Sequence, residues 1–367
     1  MTKIRHVLGI SGGKDSAALA IYLKNKHPEL DLEYYCCDTG KELDETYKLI
    51  KNLEVYLGKP IKRLQAAEDS PEENPFDHFV KMYTGYLPSA TTRWCTQRLK
   101  LEPFERYVGN DLVVSYVGIR GDEDREGYIS KKSNIQSIFP FRQNIWSEDV
   151  VQKLLNNNHI AQLLSYYNNT LAPEALNNLL PYLQTPISPN FTLQQKAAAL
   201  LDYNTKAFNQ VVFSYLQTTN YPLSKVASFP LLDNDDILIR DDIFNLLRES
   251  GVGVPAYYEK IAYQIDGQTA YYARSRSGCF FCFFQQRIEW VWLYEQHPDL
   301  FKKAMEYEKE GYSWMHNETL EQLIQPERIE AIKRENWAKT QRNNKKSLFL
   351  TDILDDAEEE GCAACFI

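Results

Sequence analysis

The sequence predicts an open α/β fold, a mainly parallel sheet flanked by helices, with a helical insertion and a helical C-terminal part. Three observations predict it. Through roughly the first 140 residues, short apolar runs alternate with helical spacings, as right-handed βαβ crossovers require. A glycine turn, Ser11-Gly12-Gly13, falls between the first such run and the first helical pattern. Residues from about 150 to 245 then turn rich in Asn, Gln, Leu and Tyr, and prolines 173, 181, 186, 189, 222 and 230 break them into short pieces.

The elements follow in order. Val7-Leu8-Gly9-Ile10 reads as a buried strand, and Ala17, Ala18, Ile21 and Tyr22 as one side of the next helix. Residues 32–37 form a second strand. Leu43, Tyr47, Ile50 and Leu57 then recur at helical spacing until Gly58-Lys59-Pro60 stops the helix. A short third strand is predicted over 61–64 and a strong fourth over 112–117, with an acidic, proline-marked loop over 66–75. Several short helices fill the insertion, as extra bulk or as a docking surface for a partner. Residues 285–345 read as helical, packing through Ile288, Trp290, Val291, Trp292 and Leu293. The expected divisions are 1–155, a core; 156–240, the insertion; 241–300, completion of the core; and 301–367, a helical region with an acidic cysteine tail.

Charge narrows the partners. The 367 residues carry 41 basic and 50 acidic side chains, a net charge of −9, and the mean hydropathy is −0.47. That surplus argues against a chain that grips nucleic acid by itself, since such affinity comes from neutralising phosphates. No apolar run approaches the ~20 residues that cross a bilayer. The apolar stretch at 7–10 is too short for a signal peptide, so no membrane association and a cytoplasmic location are expected. Seven cysteines, an odd count, point to metal or thiol chemistry rather than a disulfide framework.

The chemistry starts at Ser11-Gly12-Gly13-Lys14-Asp15-Ser16. Glycines let backbone N–H groups approach an anion, and a helix N-terminus adds the positive end of its dipole. Lys14 supplies a point charge, and Ser11 and Ser16 supply hydroxyls. Asp15 can cap the helix or hold Mg²⁺. A Walker A loop would need four residues between a glycine and Gly-Lys-[Ser/Thr], which this stretch lacks.

The hexapeptide instead resembles the PP-loop of the ATP pyrophosphatases, which split ATP between its α and β phosphates. Cys37-Asp38-Thr39-Gly40 with Glu45-Thr46, and Gly118-Ile119-Arg120 with Asp124-Arg125, resemble segments of the phosphoadenosine phosphosulfate (PAPS) reductase family. So do Arg93-Trp94-Cys95-Thr96 with Lys100 and Pro103, Phe139-Pro140-Phe141 with 146–150, and Tyr257-Tyr258 leading to Gly278-Cys279-Phe280-Phe281-Cys282. The resemblance covers about 1–155 and 240–300. It implies a Rossmann-like PP-loop fold of the adenine nucleotide alpha hydrolase type. Within it, Ser11, Gly12, Gly13, Lys14, Asp15, Ser16, Asp38, Thr39, Gly40 and Gly118 would bind nucleotide with Mg²⁺, and Lys14, Asp15 and Arg120 would act in catalysis.

Cys279 and Cys282 have the gap that lets two thiolates share a metal. With Cys95 the resemblance implies a three-cysteine [4Fe–4S] site; zinc or no metal stay open, because Trp94 stands where related reductases carry a further cysteine. Cys36 and Cys37 read as buried strand residues. Cys362 and Cys365 end the chain as a second Cys-x-x-Cys, either a sulfur relay or a dispensable tail.

Among relatives, the chain looks most like the sulfur-transfer subunits of bacterial DNA phosphorothioation, the DndC/SspD type. That resemblance implies an ATP pyrophosphatase and sulfurtransferase in DNA modification and phage defence. Its expected partners are a cysteine desulfurase and other modification subunits, with DNA as an indirect substrate. A PAPS or APS reductase is the alternative, weakened because the tail lacks the Glu-Cys-Gly-[Ile/Leu]-His motif. A tRNA thiolase, lacking an evident basic RNA-binding region here, and an inactive nucleotide-binding defence module are further alternatives.

Overall fold

A computed structural model describes residues 3–123, 130, 132–309 and 311–346. Five strands, β1 (Arg5–Gly9), β2 (Leu32–Cys37), β3 (Ile61–Leu64), β4 (Val113–Tyr116) and β5 (Ile135–Ile138), form one sheet in the order β3-β2-β1-β4-β5. Pairing of β1 with β4 and of β4 with β5 is parallel, Arg5 opposite Val113 and Val113 opposite Ile135. The predicted α/β class is therefore the observed one, and β2 and β3 have the predicted bounds. Strand β5 is an addition. Its Ile-Gln-Ser-Ile stretch is wholly buried, polar residues included, and so has no apolar run to announce it. A separate antiparallel hairpin, β6 (Ile261–Ile265) and β7 (Gln268–Tyr272), also went unpredicted. It closes on Asp266-Gly267, with φ of 46° and 72°, the paired positive values of a type I′ turn.

The helices are α1 (Lys14–Lys26), α2 (Asp44–Leu57), α3 (Pro75–Met82), α4 (Trp94–Thr96), α5 (Glu102–Val108), α6 (Glu148–Leu154), α7 (Ile160–Thr170), α8 (Pro173–Gln184), α9 (Leu193–Tyr203), α10 (Thr205–Leu216), α11 (Arg240–Glu249), α12 (Arg287–Gln296), α13 (Pro298–Met305), α14 (Leu320–Leu323) and α15 (Pro326–Lys346). Their ends obey local chemistry. Gly58 takes the left-handed conformation that terminates α2, its N–H donating to Glu54 O. Asn74 caps α3 through the Asp77 N–H, with Pro75 in the first turn. Thr192 and Gln195 form a capping box on α9.

Two compact units are built from interleaved segments. The first takes residues up to Gly9, Ala18–Tyr34 and Val108–Ile243; the second takes Ile10–Ala17, Tyr35–Tyr107 and the chain from Phe244 onward. In the first unit, Val7, Leu8, Val113, Val114, Tyr116 and Ile138 are fully buried in the sheet. Helices α6–α10 join that unit through Trp146, whose indole N–H donates to Asn209 Oδ1 at 2.9 Å. Fully buried Lys196 donates to the carbonyls of Leu183 and Thr185 at 3.1 and 2.8 Å, which closes the exposed end of α8.

The second unit packs around aromatic rings. Phe76 lies 5.2 Å from Trp94 and 4.6 Å from Phe281, and Phe281 stacks on Trp314 at 4.6 Å, centroid to centroid. Ring pairs at such spacings add roughly 0.5–1.5 kcal/mol each beyond area burial. Phe280 and Phe281 therefore nail the Cys279–Cys282 turn to the core.

Candidate functional site

The candidate site lies in the second unit and begins where β1 gives way to α1. Gly12 has φ +76°, a conformation that costs an L-residue with a Cβ, and Thr46 packs directly against it. Tyr257, 1% exposed, donates its hydroxyl to Gly12 O at 3.0 Å. Gly13 approaches Ser277 so closely that a Cβ would stand 2.6 Å from its hydroxyl. Ser16 Oγ accepts from the Ser11 N–H at 3.1 Å, and Ser11 Oγ from the Gly13 N–H at 3.3 Å. Lys14 is buried, its ammonium 3.3 Å from Asp15 and 5.2 Å from the centre of the Tyr258 ring, whose hydroxyl accepts the Lys14 N–H. The structure places all six residues on the turn between β1 and α1 and the first turn of α1.

The turn after β2 supplies the neighbouring wall. Asp38 Oδ1 accepts the Gly40 N–H at 2.9 Å and the Tyr47 hydroxyl at 3.0 Å, and Arg63 stands 3.8 Å from its other oxygen. Thr39 donates to Glu42 Oε1 at 2.7 Å and lies 3.3 Å from Cys279 Sγ. The turn is stitched to the cysteine segment, since the Phe280 N–H donates to Lys41 O at 2.8 Å and Glu42 bridges Cys279. Loss of hydration pushes the Glu42 carboxyl above its ordinary range; the Thr39 hydrogen bond opposes this and the Asp38 charge adds to it. Sequence reading passed over Glu42, although it ends the Cys37–Glu42 run at the carboxyl end of a strand, where open α/β sheets bind ligands.

Burial pushes the Cys279 thiol upward, and the Glu42 carboxylate adds to the shift. Burial also raises Cys282, while nearby Arg276, Lys100 and Arg274 pull the other way. Cys36 and Cys37 are pushed up to about 12, chiefly by burial, as packed strand residues should be. Cys95 sits in α4, half-buried beside the same aromatic core. Among the described residues no group of three or more His, Cys, Asp and Glu side chains could hold a metal ion. Cys95, Cys279 and Cys282 form no such group among the described residues. No disulfide joins the described cysteines.

Arg274 is the least expected member. It is 2% exposed, donates to Cys279 O at 3.1 Å, and its Nε and Nη1 find no hydrogen-bond partner. Its backbone N–H donates to Tyr257 O at 2.9 Å. An unneutralised buried guanidinium costs several kcal/mol unless an anion completes it. A lone arginine in a β-rich stretch carries no motif, so sequence alone could not single it out.

Gly118 and Arg120 belong to the first unit. Arg120 is fully buried there, with Asp122 at 2.8 Å and Glu123 at 2.9 Å, so its charge is neutralised by adjacent carboxylates. Asp124, Arg125, Cys362 and Cys365 lie outside the described residues.

The fold class is an α/β sheet domain with a glycine turn at the end of β1 and a half-buried pair of cysteines in the same unit. Residues 5–166 match the family described as the phosphoadenosine phosphosulfate reductase domain, which supports reading the N-terminal part as PAPS-reductase-like. A 155-residue stretch is 34% identical to an uncharacterized protein of Methanocaldococcus jannaschii, covering 38% of this chain and 30% of that one. A 146-residue stretch is 30% identical to an uncharacterized nin region protein of Escherichia phage lambda, covering 33% and 49%. The match thus spans under half the length of either relative. No solved structure matches. No helix among the described residues is long and apolar enough to cross a membrane.

Proposed function

We propose that the chain is an ATP pyrophosphatase coupled to sulfur transfer, activating a DNA backbone phosphate for phosphorothioation. The observation that carries this reading is the loop at 11–16, locked by Thr46, Tyr257 and Ser277 in the same unit as the half-buried thiols of Cys279 and Cys282 and the half-satisfied cation Arg274. In the proposed reaction a non-bridging phosphate oxygen of DNA attacks the α-phosphorus of ATP, and pyrophosphate leaves. A persulfide sulfur on Cys279 or Cys282 then displaces AMP. The companion thiol attacks the resulting S–S bond, releasing the phosphorothioate and leaving a Cys279–Cys282 disulfide that a dithiol donor must reduce.

The loop N–H groups and Lys14 stabilise charge on the phosphates, the dominant contribution in nucleotidyl transfer. Mg²⁺ needs one or two carboxylates besides phosphate oxygens, and Asp15 and Asp38 are the candidates. Arg274 balances negative charge near the thiols. A cysteine desulfurase would load the sulfur, and other subunits of the modification system would hold DNA against this acidic chain. The test is product analysis with ATP and Mg²⁺. AMP and pyrophosphate are expected, with Lys14→Ala lowering turnover by roughly 100-fold or more while the circular dichroism spectrum stays unchanged. ADP and orthophosphate would refute the reading.

A further inference from the structure

The first unit holds a cavity of about 490 Å³ between β5, α6 and the end of α10, within the size range of small-molecule sites. Two polar groups on its wall are incomplete. Gln136 on β5 is 2% exposed; its Oε1 accepts the Leu223 N–H at 3.1 Å and its Nε2 has no partner. Because the Leu223 N–H demands an acceptor, the amide orientation is fixed and the group left over is a donor. On α6, the buried Asp149 Oδ1 also has no partner.

Asp149's other oxygen is occupied. Lys153 Nζ can only donate, and it lies 2.6 Å from the Tyr221 hydroxyl, so the Tyr221 proton goes to Asp149 Oδ2. Besides the Lys132 and Lys153 side chains, Asn220 and several hydroxyls, the wall thus carries one amide donor and one carboxylate acceptor left over, with the rings of Tyr215 and Tyr221. A simple anion, even with Lys132 and Lys153 on the wall, has no donor for Asp149 Oδ1, and an apolar ligand would leave both polar groups unmet at a cost of ~1–3 kcal/mol each. A nucleobase carries a donor and an acceptor on one flat edge and two faces for tyrosine.

We infer that this cavity is a nucleobase site, separate from the loop at 11–16 and independent of the activity proposed for that loop. The test is equilibrium dialysis of the full chain with GMP, AMP and UMP, and with ribose 5-phosphate as the base-free probe. Gln136→Glu keeps the acceptor for Leu223 and removes the donor; Asp149→Asn keeps the acceptor for Tyr221 and turns an amide donor into the cavity. At least one nucleotide should bind wild type more tightly than ribose 5-phosphate. Each variant should weaken it by tenfold or more while unfolding at the wild-type temperature and turning over ATP at the wild-type rate. Equal binding of ribose 5-phosphate, no binding of any base, or unchanged binding in a variant that stays folded would overturn the assignment. If one variant fails to fold, the other decides alone.

Discussion

Replacing Gly12 by alanine tests whether the loop is held as tightly as its contacts imply. Two costs add. Gly12 sits at φ +76°, where a residue with a Cβ is disfavoured by about 1–2 kcal/mol. The new Cβ would also overlap Thr46 Cγ2, with Thr46 Cβ at 3.5 Å, and Thr46 is 1% exposed and has nowhere to go. Overpacking of this kind costs about 1–3 kcal/mol, so Gly12→Ala should destabilise the protein by roughly 2–5 kcal/mol. Thr46→Ser deletes the offending methyl. In the double variant only the backbone cost should remain, giving a coupling of about 1–3 kcal/mol in a double-mutant cycle. Urea unfolding followed by circular dichroism measures all four proteins. Wild-type stability in Gly12→Ala, or strictly additive single effects, would refute the packing argument.

Two further outcomes follow from buried polar groups. Because the folded-state pKa of Glu42 is raised above its ordinary 4.5, its contribution to stability is complete below that pH and declines as pH rises through the shifted value. Thermal midpoints of Glu42→Gln relative to wild type should therefore improve as pH rises above the ordinary carboxylate range; parallel profiles would contradict the shift. Lys196→Met should cost about 1–3 kcal/mol, because the Leu183 and Thr185 carbonyls lose their donor, and a variant of unchanged thermal midpoint would show that water replaces the ammonium.

The strands visible in the sequence were short runs with buried apolar residues between clear turn signals, even where β3 exposes Lys62 and Arg63. Residues 32–37 and 61–64 are bounded by turn residues, so their ends could be read to the residue. Strand β5 hid because Gln136 and Ser137 point polar groups into the interior, and Gln136 serves the cavity described above. The hairpin carries a readable signal, Asp266-Gly267 between two short runs of alternating burial. Ser11 to Ser16 were legible because glycine beside lysine at a strand end has a mechanical meaning. Glu42, Ser277 and Arg274 were not: each matters through contacts between the Thr39–Glu42 turn or the loop and residues 274–280, which lie more than two hundred positions along the chain. Arg120 shows the converse, since a motif-like position proves to be an arginine enclosed by Asp122 and Glu123.

The central claim concerns the fate of one oxygen atom. If the chain activates DNA by nucleotidyl transfer, the oxygen that sulfur replaces must leave on AMP. DNA with ¹⁸O in its non-bridging phosphate positions, incubated with ATP, Mg²⁺, a dithiol, a cysteine desulfurase with cysteine, and the modification partners, allows this to be read by mass spectrometry of the nucleotide product. The account requires AMP carrying one ¹⁸O for each phosphorothioate formed, and neither product with Lys14→Ala. Phosphorothioate accompanied by unlabelled AMP, or by ADP, would contradict it.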